Sequence, residues 1–289
     1  MQEPLTLSPH DESENLNGWW RVLRAGIGLY LVGLIVLVLT QNPNIFPTVV
    51  LVGSFMVPVT YVAFFYERRH LSHLTLPNTA MGFFWGGVLG IFAAALLEPL
   101  FIQGLTISAF FTIGFIEEFV KIFGVLVIAR KLRHDSELNG LILGAAAGMG
   151  FAALESTGYA FSAFMRSGGS LSAMVGVTLL RGILSPIGHG TWTAILAGVL
   201  FRESIPGRFI INSRVVMAYL TVVFLHAMWD LLPSLITAML LPGLDIIIGQ
   251  TLIGGIGLFI LWRRWKEARR LQIERMLAEM KSREISESE

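Results

Sequence analysis

Eight stretches of this chain are apolar for long enough to leave it one kind of environment. They run over 22–40, 45–66, 79–97, 104–129, 138–165, 171–201, 215–240 and 243–265. A helix rises about 1.5 Å per residue, so roughly 20 mostly apolar residues cross about 30 Å of hydrocarbon. Within lipid every backbone polar group must be satisfied internally, which makes such spans helical. The expected fold is therefore an all-α polytopic membrane protein with about eight transmembrane helices. Composition agrees: 54% of the 289 residues are hydrophobic and 14% charged, against about 25% charged in an ordinary soluble chain. A net charge of +1 leaves no diffuse basic surface, so nucleic acid is excluded as a partner. Cysteine is absent, which removes disulfides, thiolate nucleophiles and cysteine zinc sites.

Lys and Arg set the direction of insertion. With a cytoplasmic N-terminus, Arg21, Arg24, Arg68, Arg69, Arg130, Lys131, Arg133, Arg202, Arg208, Arg214 and the basic residues after Trp262 all fall on the cytoplasmic side. Only Arg166 falls opposite, and Lys121 and Arg181 lie within spans. Both ends are thus expected in the cytoplasm. Residues 1–18, with Glu3, Asp11, Glu12 and Glu14 but no basic segment, read as a polar tail and not as a cleavable signal peptide. Residues 19–265 read as one transmembrane domain. Residues 266–289 read as a charged helical tail, solvated or lying on the membrane surface. Pro58 and Pro186 are expected to kink their helices. The sixth stretch is expected to be a broken helix, or a surface helix plus a span.

Six charges lie inside the spans: Glu117, Glu118, Lys121, Glu155, Arg181 and Asp230. Each costs about 2.5–3.5 kcal/mol at a helix centre on insertion scales. Such residues face protein or a water cavity and are functional by default. His189 and His226 join them. Counted from the nearest cytoplasmic charge, Glu118, His189 and His226 lie about 18–20 Å deep, on three different helices. Glu155 and Asp230 lie further outward. Polar groups from separate helices therefore share one layer.

Spacing divides the tasks. Glu117 and Lys121 are four apart and share a face, while Glu118 is turned about 100° away. Lys121 is expected to neutralise one carboxylate and leave the other for chemistry. His226 and Asp230 are also four apart, so Asp230 orients the imidazole or both face a common ligand. Glu155 follows the small-residue run Gly144–Gly150, where helices approach closely. Each residue also has a structural reading, as ion pair, carbonyl partner or interhelical glue. No Gly-x-Ser-x-Gly and no His-Glu-x-x-His occurs, and Asp230 is the only deep aspartate. Water activation remains. A buried carboxylate can act as general base, with His donating to the oxyanion. Alternatively Glu155, His189 and His226 hold zinc with a fourth position open.

The residues that carry this layer form four ordered motifs. They are Glu117-Glu118-Phe119-Val120-Lys121, Phe151-Ala152-Ala153-Leu154-Glu155, Ser185-Pro186-Ile187-Gly188-His189 with Thr191-Trp192, and His226-Ala227-Met228-Trp229-Asp230. This set resembles the PrsW-type intramembrane proteases, within the wider superfamily of CAAX-prenyl and bacteriocin-processing membrane proteases. The resemblance implies a hydrolase of the bacterial cytoplasmic membrane that cuts membrane-anchored peptides or proteins, with anti-sigma-factor-type regulated proteolysis as its setting. It implies Glu117 or Glu118 as the base and His226 with Asp230 as stabilisers of the oxyanion. The prenyl-protease branch carries His where this chain has Glu155, and commonly Asn where it has Asp230. An ionised Asp is a poor oxyanion donor, so Asp230 must be protonated, orient His226 or help hold a metal. The alternative is a proton- or ion-coupled transporter using the same Glu/His/Asp layer, though no inverted repeat is visible between the halves.

Overall fold

A computed structural model describes residues 17–130, 136–237 and 244–288. Among them no strand occurs, and helices stand at all eight expected stretches. They are α1 (Gly18–Thr40), α2 (Phe46–Glu67), α3 (Leu76–Phe101), α4 (Ile107–Ala129), α5 (Glu137–Arg166), α6 (Leu171–Leu184), α7 (Thr191–Glu203), α8 (Ser213–Thr237) and α9 (Leu244–Ser288). Among the described residues, six helical stretches are long and apolar enough to cross a membrane, with α6 and α7 counted as one. α4 does not qualify, because Glu117, Glu118 and Lys121 sit at its centre. The end of the expected seventh span and the start of the eighth fall in 238–243, outside the described residues, as does the acidic tail before residue 17.

α5 is the axis of the molecule. It is enclosed almost completely, whereas α1 leaves most of its surface bare. Leu39, Phe92, Leu100 and Leu105 are among the large apolar side chains left on the outside, as expected of a lipid-facing belt. α5 packs against α2, α3, α6 and α7. Two rows of small residues allow this. Gly140, Gly144 and Gly148, four apart, turn one face of α5 toward the backbone of α7 and His189. On the other face, a Cβ on Gly87 of α3 would stand 2.6 Å from the Gly150 carbonyl carbon. Lipid supplies no hydrophobic drive between helices, so such backbone-to-backbone contact carries the packing. Leucine at Gly144 would meet the Thr193 carbonyl oxygen and, at 2.7 Å, the Ala197 Cβ. We expect Gly144→Leu to cost at least about 1–3 kcal/mol and to lower the unfolding midpoint in detergent. Gly158→Ala, with nothing within 4 Å of the new Cβ, should stay within about 0.5 kcal/mol of the parent.

The two prolines behave differently. α2 continues through Pro58. Pro186 ends α6 and opens a π-helical turn, Pro186–Gly190, before α7 begins. The Thr191 hydroxyl donates to the Pro186 carbonyl at 3.0 Å, satisfying an acceptor left over by the altered register. This turn carries His189. π-Turns inside helices occur often at functional sites.

The charged tail packs on the bundle at its start, while Ile273, Leu277, Met280 and Ile285 further along are exposed. α9 runs unbroken for 45 residues, roughly 65–70 Å. Its turns around residues 264–272 dock on the ends of α5 and α7. Arg202 reaches Glu267 at 2.8 Å and Glu137 at 3.5 Å, and Arg264 reaches Glu137 at 3.3 Å. Ser136 donates to Gln272 at 3.0 Å, and Ala268 is buried. Burial pushes the Glu267 carboxyl up, but the Arg202 hydrogen bond and the nearby arginines outweigh it and hold the group below its ordinary range.

Candidate active site

The seven residues singled out from the sequence meet in one cluster, contributed by α4, α5, the π-turn and α8. α4 begins at a capped turn, where the Thr106 hydroxyl accepts from the Ala109 amide at 3.2 Å. Gly114 brings this helix against α8 beside His226, since a Cβ there would lie 3.3 Å from the His226 Cβ. About four turns in from the cap, Lys121 Nζ donates to Glu117 Oε2 at 2.9 Å, to Glu118 Oε1 at 2.8 Å and to His189 Nδ1 at 2.8 Å. An ammonium has three protons, and all are placed. Here the structure corrects the expectation that Lys121 serves only one carboxylate. Its side chain lies between the positions three and four residues back and reaches both.

The partners assign the imidazole protons. His189 accepts from Lys121 on Nδ1, so its proton is on Nε2, 3.1 Å from Glu155 Oε2. His226 Nδ1 lies 3.0 Å from Glu118 Oε1. That carboxylate is an acceptor for Lys121, so His226 donates to it and its Nε2 is bare. Nε2 in turn lies 3.7 Å from Glu117 Oε2 and 3.5 Å from Asp230 Oδ2. Each imidazole is thus held from outside by a glutamate. Its other nitrogen lies near Glu117 Oε2, bare in His226 at 3.7 Å and bonded to Lys121 in His189 at 3.8 Å.

This changes the metal-capable set. Glu117, His189 and His226 offer ligand atoms all within 4.8 Å of one another. Glu155, expected in that set, sits on the outer nitrogen of His189 and pairs with the Arg181 guanidinium. Arg181 also donates to the Ser156 hydroxyl at 2.9 Å, and its guanidinium carbon stands 4.2 Å from the Tyr159 ring centre. Glu118 and Lys121 are wholly buried. The Asp230 side chain is 33% exposed and that of Glu155 16%, so the cluster opens on their side.

Aromatic rings wall the site. Trp192 stacks on His226 with centroids 4.9 Å apart, and Trp229 meets Trp192 edge-on at 5.5 Å. Lys121 Nζ lies 4.3 Å from the centre of the Phe151 ring. Dry walls strengthen each charge interaction inside. Several members gave no signal in the sequence. Thr193 donates its hydroxyl to Glu118 Oε2 at 3.3 Å. Glu98, near the end of α3, lies within electrostatic reach of Glu117, Glu155 and His226.

The family model for PrsW family intramembrane metalloproteases matches residues 75–262, more than half of the chain and every residue of this cluster. No curated protein and no solved structure matches the chain. Buried carboxylates and imidazoles converging in a multi-pass helical protein, together with that match, place the chain in the PrsW family of intramembrane metalloproteases, and with it among the membrane-embedded protein hydrolases.

Proposed function

We propose that this protein hydrolyses a peptide bond of a membrane-anchored substrate with water activated at Glu117. The supporting observation is the position of one carboxylate. Glu117 Oε2 faces the inward nitrogens of both histidines, and among the described residues Oε1 has no hydrogen-bond partner. Oε1 is then the atom that takes a proton from water as its oxygen bonds to the carbonyl carbon. As the C–N bond breaks, the same proton passes to the leaving amine. Asp230, on the open side and paired with His226 alone among the described residues, holds the water or the amine in line. Glu118 is no rival for the base. It is committed to Lys121, His226 and Thr193.

The residues fit a divalent ion of the zinc class. Two imidazoles and a carboxylate are a known catalytic zinc set, and outer carboxylates that fix the imidazoles are its usual support. Charge agrees. Among the described residues, the only Lys or Arg paired with Glu117, Glu118, Glu155 and Asp230 are Lys121 and Arg181, leaving two negative charges to balance in an apolar surround. Glu117, His189 and His226 would hold the ion, with Lys121 giving up its bond to His189 Nδ1 and keeping those to the glutamates. Such an ion, when bound, lowers the pKa of its water to about 7 and polarises the substrate carbonyl. For protein purified without nickel chromatography, elemental analysis should find near one zinc-class ion per chain. Glu118→Gln should weaken its retention by about 10–100-fold, because His226 loses its outer anchor. Metal-free protein that still cleaves would sink the ion. His226 would then have to carry both protons and donate from Nε2 to the oxyanion.

The regulated-proteolysis setting, the bacterial membrane and the superfamily relationship follow from the motif resemblance. Eight crossings with both ends cytoplasmic follow from the Lys and Arg distribution. The site would then lie beyond the midplane, suited to the non-cytoplasmic juxtamembrane segment of a substrate.

A further inference from the structure

Beside the cluster lies a cavity of about 130 Å³ between α6, the π-turn, α8 and α9. Its apolar walls are Leu180, Leu184 and Trp229. Its polar groups include His189, Arg181 and Gln250. A cavity of about 150 Å³ holds one benzene, so this one has room for a single side chain of about Val or Leu size.

Gln250 is the unexplained member. It interrupts an apolar run of α9, and its Oε1 is buried with no hydrogen-bond partner among the described residues. An acceptor withdrawn from water and left unpaired is destabilising unless something arrives to satisfy it. Trp192 Nε1 is unpaired too, but it does not line the cavity. The placing of Gln250 is tight. A Cβ on Gly249 would lie 3.2 Å from the Pro233 nitrogen, and one on Gly254 would lie 3.1 Å from the Trp229 ring. α9 therefore presses on α8 to either side of Gln250, whose side chain lines the cavity together with His189.

A primary amide matches a peptide group, with one acceptor for N–H and two donors for C=O. We propose that this cavity is the subsite for the substrate side chain next to the scissile bond, and that Gln250 is a positioning residue that hydrogen-bonds the substrate backbone there. An extended strand held by one backbone contact and one filled pocket would lie across His189 with its carbonyl toward Glu117. The proposal rests on the protease reading and names the substrate class more closely: an unwound segment carrying a small or medium aliphatic residue at that position.

The test uses the full chain in liposomes with biotinylated single-span peptides. These carry Ala, Val, Leu, Phe or Trp at the residue flanking the bond that wild type cuts. Gln250→Leu should raise KM about tenfold, the worth of one hydrogen bond, and leave kcat within about threefold. Leu184→Ala should move the preference between Phe and Val peptides about tenfold toward Phe. A photo-crosslinking residue at 250, in a Glu117→Gln chain, should capture peptide in a saturable way. The same residue at Ile256, an exposed position of α9, should not. Equal capture at both positions, with KM and side-chain preference unchanged, overturns the subsite even if Glu117→Gln abolishes cleavage. Saturable capture at 250 with no cleavage by wild type would leave a peptide-binding cavity, overturn its place beside a scissile bond and remove the protease reading.

Discussion

Glu117→Gln is expected to cut peptide cleavage by about 10²–10⁴-fold, the usual worth of a positioned general base. It should do so without loss of folded protein. Glutamine keeps the size of the side chain and an oxygen that accepts from Lys121, while Glu118 still holds Lys121, His226 and Thr193. What disappears is the oxygen that takes up the proton from water. Glu118→Gln makes the informative contrast. It removes half of the Lys121 compensation and the group that sets the His226 tautomer, so activity and thermal stability should fall together. Size-exclusion profiles and unfolding midpoints beside kcat separate the two. If Glu117→Gln cleaves at the parental rate, or if Glu118→Gln alone is inactive while fully stable, the roles given to the adjacent glutamates are wrong.

The largest expected loss of stability is from Lys121→Met. Lys121 is fully buried and, among the described residues, is the one Lys or Arg paired with both Glu117 and Glu118. Methionine replaces its length but none of its three donors. Two carboxylates would then face each other in an apolar surround, and His189 Nδ1 would lose its donor. Breaking a buried pair by removing one partner costs about 3–5 kcal/mol, a large fraction of an ordinary stability of about 5–15 kcal/mol. We expect little folded Lys121→Met in detergent. Adding Glu118→Gln should restore part of the yield, because it removes one of the stranded charges. No gain from that second change would mean that Lys121 acts by filling space beside Phe151 and not by compensating charge.

Much of this was legible in the sequence, and the remainder fails for identifiable reasons. Helix positions could be read from apolar length alone. The cluster members could be read from the cost of charge in lipid, which leaves few reasons for Glu117, Glu155 or Asp230 to exist there. Their division of labour could not. Whether Glu117 or Glu155 faces the shared point depends on Arg181, 26 residues from Glu155 along the chain and on another helix, α6, pairing with Glu155. That Lys121 satisfies two glutamates depends on a rotamer, since helical spacing allows either partner. Gln250 and Thr193 sit in segments whose apolar pattern says only that they are buried or lipid-facing. Docking of the tail through Glu267 is set by Arg202 and Glu137, residues on two other helices.

The uneven burial of the cluster has a consequence for the cell. A chain of acids, imidazoles and an amine across a bilayer is the raw material of a proton wire, and a leak there would drain the ion gradient. In this protein the chain stops. Asp230 and Glu155 keep exposed surface, while Glu118 and Lys121 have none and are backed by Thr193 and Trp192. The enzyme can admit the water it consumes and still insulate the membrane it sits in.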